Sequence, residues 1–112
     1  MLFAAPLAFG DLDAGSVANQ NFQSALAYER LGRYEEAYTH LQVAANLSPD
    51  DSSVALALGI VASRLGRYDE ALRSLEHAIA LEANSCASYY ALGLLYEKKG
   101  LNDRASDACR GG

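Results

Sequence analysis

The stretch Arg30-Leu31-Gly32-Arg33-Tyr34-Glu35-Glu36-Ala37 returns 34 positions later as Arg64-Leu65-Gly66-Arg67-Tyr68-Asp69-Glu70-Ala71, with seven of eight residues identical. After another 34 positions Lys98-Lys99-Gly100-Leu101-Asn102-Asp103-Arg104-Ala105 keeps the glycine and the alanine in the same places. A fixed period of this length is the mark of stacked supersecondary units, each leaning on its neighbours, rather than of one globular core. Fold class is therefore constrained before any residue propensity is consulted.

At 112 residues, half of them apolar, the chain has room for one small domain. Its net charge of −5, with only nine Lys or Arg, lacks the positive field that draws in phosphate backbones or anionic membranes, so nucleic acid is excluded as an expected partner. No run approaches the roughly 18 apolar residues needed to span a bilayer, so no integral membrane segment is expected.

Residues 1–10 are apolar and contain Pro6. The small-x-small sequence Ala8-Phe9-Gly10 allows a secretory-signal remnant, whereas the missing basic region favours an N-terminal arm that docks on the repeats or is poorly ordered. A cytoplasmic protein is the favoured reading, with a secreted or periplasmic one following from the signal remnant.

The rest reads as pairs of helices. Asp13, Gly15 and Ser16 offer start signals for a first helix, in which Val17, Phe22, Ala25, Leu26 and Tyr28 recur at helical spacing until Gly32. A second helix, Tyr34 to Leu47, carries Ala37, Leu41, Ala44 and Ala45 on one stripe and stops at Ser48-Pro49. Asp50-Asp51-Ser52-Ser53 supplies acceptors for the next helix start, giving Val54 to Leu65, and Tyr68 to Leu81 is its mate, with Ala71, Leu72, Leu75, Ala78 and Ile79 inward. Asn84-Ser85 opens a fifth helix from about Cys86 to Lys99, and a short sixth covers Asp103 to Arg110. The units are 16–51, 52–85 and 86–110, preceded by an arm at 1–15 and followed by a tail at 111–112. Connections of two to five residues make each pair antiparallel. Gly59 and Gly93 fall at one repeat place, with Ala25 as counterpart. Because glycine inside a helix costs about 1 kcal/mol relative to alanine, their recurrence points to close helix approach.

These residues resemble the tetratricopeptide-repeat family, whose 34-residue pattern is W-x2-L-G-x2-Y, then A-x3-F, then P. Leu58-Gly59, Ala71, Leu75 and Ala78 match it in the middle unit, and Leu92-Gly93, Tyr96 and Ala105 in the last. The first unit keeps Tyr28, Ala37, Leu41 and Pro49 but has Ser24-Ala25 for L-G. Tryptophan is absent, its places taken by Asn21, Ala55 and Tyr89. The resemblance implies an all-α solenoid of about 2.5–3 repeats wound into a right-handed superhelix. It also implies that the first helix of each unit lines a concave groove for a protein or peptide partner.

By the same resemblance the groove carries an apolar ladder of Phe22, Leu26, Leu56, Ile60, Tyr90 and Leu94, edged by the basic row Arg30, Arg64 and Lys98. These nine are the expected partner-binding residues. Asn19, Glu29, Ser53, Ser63, Ala87 and Glu97 share the face. The Lys, Asn and Arg clamp that chaperone-tail binders of the family place on this face is missing, since Phe22, Leu26, Ala57, Ala87 and Ala91 stand at the matching positions. An open apolar ladder of several hundred Å² calls for a cover. The leading expectation is an apolar or amphipathic partner segment anchored by Phe22 and Tyr90, with the basic row pairing acidic residues. The same cations also suit helix C-termini without any ligand. The alternatives are cover by residues 1–10 or by a second copy, which would make a homo-oligomer, and a secretion-type chaperone shielding a client's hydrophobic segment. The short sixth helix leaves Leu81, Leu92, Leu95 and Cys109 as an expected uncovered edge, sealed by a continuation of the chain or by self-association.

Enzyme chemistry has no local signature here: no G-x-x-x-x-G-K-[ST], H-E-x-x-H, G-x-S-x-G or C-x-x-C is present. No enzyme activity, cofactor or metal is therefore expected. His40 and His77 read as solvated outer-surface residues, and Glu35-Glu36 and Asp69-Glu70 as helix starters. Cys86 and Cys109 read as small buried side chains, about 10 Å out of register and beyond disulfide reach. An RNA-reading repeat array would need a positive groove, which the acidic balance opposes.

Overall fold

A computed structural model of the chain describes residues 13–98, and among them the regular structure is entirely helical. Five helices follow in order: α1 (Ala14–Arg30), α2 (Tyr34–Leu47), α3 (Ser52–Arg64), α4 (Tyr68–Leu81) and α5 (Cys86–Lys98). Helices α1 and α2 form one hairpin and α3 and α4 the next, while α3 packs on α2 and α5 rests on both α4 and α3. Of the arm expected at 1–15, residues 1–12 lie outside the described residues, as does the expected sixth helix, while Asp13 caps α1 and Ala14 and Gly15 open it.

The near-identical Arg-Leu-Gly-Arg segments make the same turn twice. Gly32 and Gly66 have φ of 78° and 82°, a conformation that a Cβ disfavours. With the glycine so placed, its N–H bonds back to Glu29 O in one turn and Ser63 O in the other. The following arginine N–H reaches Tyr28 O or Ala62 O, at 2.9 and 2.8 Å. These paired bonds satisfy carbonyls that a helix end leaves without partners. The three-residue link thus stops one helix and starts its mate at once, which is why the repeat is best preserved there.

Helix starts at the other end of the bundle use short side chains. Asp13 accepts from Ser16 N at 2.8 Å, so α1 begins at Ala14, slightly ahead of its apolar spacing. Asp51 accepts from Ser53 N and Val54 N, and Ser85 Oγ accepts from Ser88 N. Glu35, Glu36, Asp69 and Glu70 occupy the first turns of α2 and α4, where carboxylates suit the helix dipole.

The inward stripes meet as expected. Ala37, Leu41, Ala44, Ala71, Leu75 and Ala78 are buried in the core, joined by Tyr38, Val54, Val61 and Ala62. Burial of a leucine contributes about 1.5–3 kcal/mol, so Leu41, Leu75 and Leu95 are principal contributors to stability. Small side chains set the helix spacing. At Gly59 an added Cβ would lie 2.7 Å from Leu75 Cγ and Cδ2, whereas the equivalent Ala25 carries its Cβ and is buried all the same.

Three expectations need correction. Leu92 and Leu95 are buried and belong to the same core as α3 and α4, so of the expected edge only Leu81 is exposed among the described residues. His40 is half-buried: its ring stacks on Tyr28 with centroids 5.4 Å apart, and its Nδ1 meets Asn21 Oδ1 at 2.8 Å. Asn21 Nδ2 donates to Val17 O, leaving Oδ1 to accept from the imidazole. Cys86 is exposed and disulfide-bonded, against the reading of a small buried side chain beyond disulfide reach. The chain's other cysteine, Cys109, lies outside the described residues.

Candidate groove between the first helices

Each expected groove residue sits on a first helix because the 34-residue period carries one helical face from unit to unit. Phe22 and Leu26 on α1 and Leu56 and Ile60 on α3 are half-buried, with Phe22 and Leu56 leaning on the core. Tyr90 and Leu94 on α5 stand out from the surface, 55% and 41% exposed. The ladder is thus most open at α5 and partly sunk at α1 and α3. Lys98 ends α5.

The structure brings three of the nine together. Ile60, Arg64 and Leu94 line a hollow of about 130 Å³ between α3 and α5, shared with Gly59, Ser63, Leu75 and Ala91. Its wall is mostly aliphatic, with Arg64 and Ser63 as polar groups. Phe22, Leu26, Arg30, Leu56 and Tyr90 are not among its lining residues. Leu75 belongs to α4 and has no place on a first-helix face, so reading one helix at a time misses it. It reaches the hollow's wall because Gly59 has no side chain to cover it; glycine at a close-approach position was the available signal.

The arginines at the helix ends are tied to their neighbours in part. Arg64 lies over the Tyr34 ring at 5.5 Å, and its Nη1 donates to the Tyr34 hydroxyl at 3.4 Å. Arg67 lies 4.6 Å from the Tyr38 centroid and 3.4 Å from Glu35 Oε1. Together they clasp the second unit onto the first. Arg33 folds over Tyr28 and pairs with Glu36 at 2.6 Å within its own unit. Exposed pairs of this kind contribute about 0–1 kcal/mol each, so Arg64 is held loosely at the edge of the hollow. Arg30 is exposed at the end of α1 and makes no such contact among the described residues.

No group of His, Cys, Asp or Glu among the described residues is arranged to hold a metal ion, and no helix there is long and apolar enough to cross a membrane. What the arrangement offers chemically is an aliphatic slot beside a cation, suited to holding a side chain.

Sequence profiles of the tetratricopeptide repeat match residues 16–83 and 87–110. A crystal structure of MamA superposes with a TM-score of 0.76 at 27% identity, over 91% of this chain and 59% of that one. A second MamA crystal structure gives 0.75 at 28% identity, over 88% and 54%. A MamA mutant gives 0.72 at 28% identity, over 79% and 64%. The chain therefore spans less than two thirds of the length of these proteins. No curated protein sequence matches it.

Proposed function

The chain belongs to the tetratricopeptide-repeat family, and on that premise we propose that it is a docking module gripping an apolar or amphipathic segment of a partner protein along its first helices. Repeats of this family generally mediate contacts between proteins, and the helical solenoid gives this chain the same architecture. The observation that carries the finer reading is the hollow where Ile60 and Leu94 from successive units converge beside Arg64. A guest leucine or isoleucine enters the hollow, an acidic neighbour meets Arg64, and Tyr90 supplies an exposed aromatic surface alongside. Phe22, Leu26 and Arg30 extend the same track over the first unit, and Leu56 and Lys98 complete it. The segment is held by shape and charge as a scaffold would hold it, and no reaction is involved.

Selection of displayed peptides on the intact chain tests this, with Leu94→Glu as the counter-target. Leu94 is partly exposed, so the variant should keep the wild-type helical signal in circular dichroism. Peptides with an aliphatic residue near an acidic one should bind the wild type at least about tenfold more tightly, since losing one buried aliphatic contact removes about 1.5–3 kcal/mol. Peptides that bind both proteins equally well would remove the groove from the account.

A further inference from the structure

A second hollow lies away from that track, between the second helices α2 and α4. It measures about 200 Å³ and has Val54, Ala55 and Leu58 of α3 at its floor, with Ala45 of α2 and Arg73 and His77 of α4 around them. The repeat explains why it is there. In the first unit the place equivalent to Ala55 carries Asn21, and the place equivalent to Ser74 carries His40. Those two side chains are joined at 2.8 Å, and the imidazole stacks on Tyr28. In the third unit the place equivalent to Ala55 carries Tyr89. The middle unit has Ala55 and Ser74 instead, so the volume its neighbours give to planar side chains is left open at the surface.

We propose that this hollow is a binding site for an aromatic side chain of a partner polypeptide, carried next to a carboxylate. Size favours an aromatic guest, because an apolar cavity of about 150 Å³ already accepts benzene. The exposed lining is mostly apolar, with Ser48, Asp51, Arg73, Ser74 and His77 among the ten residues around it, and the opening faces solvent, so the guest ring loses water without requiring new polar partners. Charge at the rim selects its neighbour. Asp51 spends its carboxylate on Ser53 N and Val54 N, and His77 Nε2 donates to Pro49 O at 2.9 Å. Arg73 is exposed and makes no hydrogen bond or ion pair among the described residues. Asp51 keeps its charge but turns it toward the start of α3, so among the described residues lining the hollow the charge turned to a guest is the Arg73 guanidinium, which attracts both a ring face and a carboxylate. The site is separate from the groove between the first helices, so one chain can hold two segments at once.

The absence of tryptophan from the chain makes the test direct, since a tryptophan probe reports without background. The probe is acetyl-Asp-Trp-Asp-amide, titrated against the full chain and followed by its fluorescence. The expected result is a saturable blue shift with the wild type and with Leu94→Glu. Affinity should fall at least tenfold with Ala55→Phe, which fills the hollow from within, and several-fold with Arg73→Gln or with acetyl-Ala-Trp-Ala-amide as probe. Ser74→His restores the first unit's residue at the edge of the hollow and gives an independent filling variant if Ala55→Phe unfolds. No saturable shift with the wild type up to millimolar probe would overturn the proposal. So would unchanged binding to whichever filling variant folds, or a shift abolished by Leu94→Glu alone. Equal affinity for the two probes would overturn the carboxylate part.

Discussion

Replacing Gly59 by alanine sets two effects of known size against each other. Alanine in place of glycine within a helix gains about 1 kcal/mol. Here, however, the new Cβ would lie 2.7 Å from both Cγ and Cδ2 of Leu75, and 3.3 Å from the Ala71 carbonyl oxygen. Leu75 is 1% exposed and closely surrounded, and its Cγ is not a loose chain end, so it can make room only by shifting the α3–α4 contact. Overpacking of this kind costs about 1–3 kcal/mol, and the confined setting places this case toward the upper end. The net expectation for Gly59→Ala is a loss of about 1–2 kcal/mol, or roughly 5–15 °C in Tm for a helical unit of this size. Urea unfolding followed by circular dichroism measures it, and a double-mutant cycle isolates the cause. Leu75→Ala alone should cost about 2–5 kcal/mol. In that background the overlap with Leu75 is gone and only the 3.3 Å approach to Ala71 O remains, so adding Gly59→Ala should stabilise, by less than about 1 kcal/mol. This reversal of sign is the critical result. Gly59→Ala stabilising the otherwise wild-type chain, or destabilising it equally with and without Leu75, would refute the close-approach argument.

Two further outcomes are expected. Gly66→Ala should destabilise by about 1 kcal/mol through backbone strain alone, because φ is +82° and open space surrounds the position; Gly66→Asn should recover part of the loss, and an unchanged urea midpoint for the alanine variant would contradict the turn geometry. Cys86, being disulfide-bonded although exposed, should resist maleimide labelling until a reductant is added; immediate labelling of the native protein would show a free thiol.

The helices were legible because their signals are local. Tyr34–Leu47 and Tyr68–Leu81 fall where the stripes and turn residues put them, and the link Leu-Gly-Arg reads directly as stop and start. The candidate groove was legible in part. The period carries Ile60, Arg64 and Leu94 onto one face, but Leu75 enters the hollow from another helix through the space above Gly59. The cysteine was misread because a register estimate along two ideal helices does not fix the distance between side chains in three dimensions.

What the sequence settles alone is what repeats: a 34-residue spacing of glycines, alanines and leucines fixes helix pairs and their order, since turn formation and amphipathic burial depend on neighbours a few residues away. What tertiary structure decides is what differs between repeats. Asn21 with His40 closes a space that Ala55 with Ser74 leaves open, and Arg64 and Arg67 reach back to Tyr34, Glu35 and Tyr38 of the unit before. Those outcomes rest on volumes and distances between residues about 20 to 30 positions apart, which only the packed helices bring into contact.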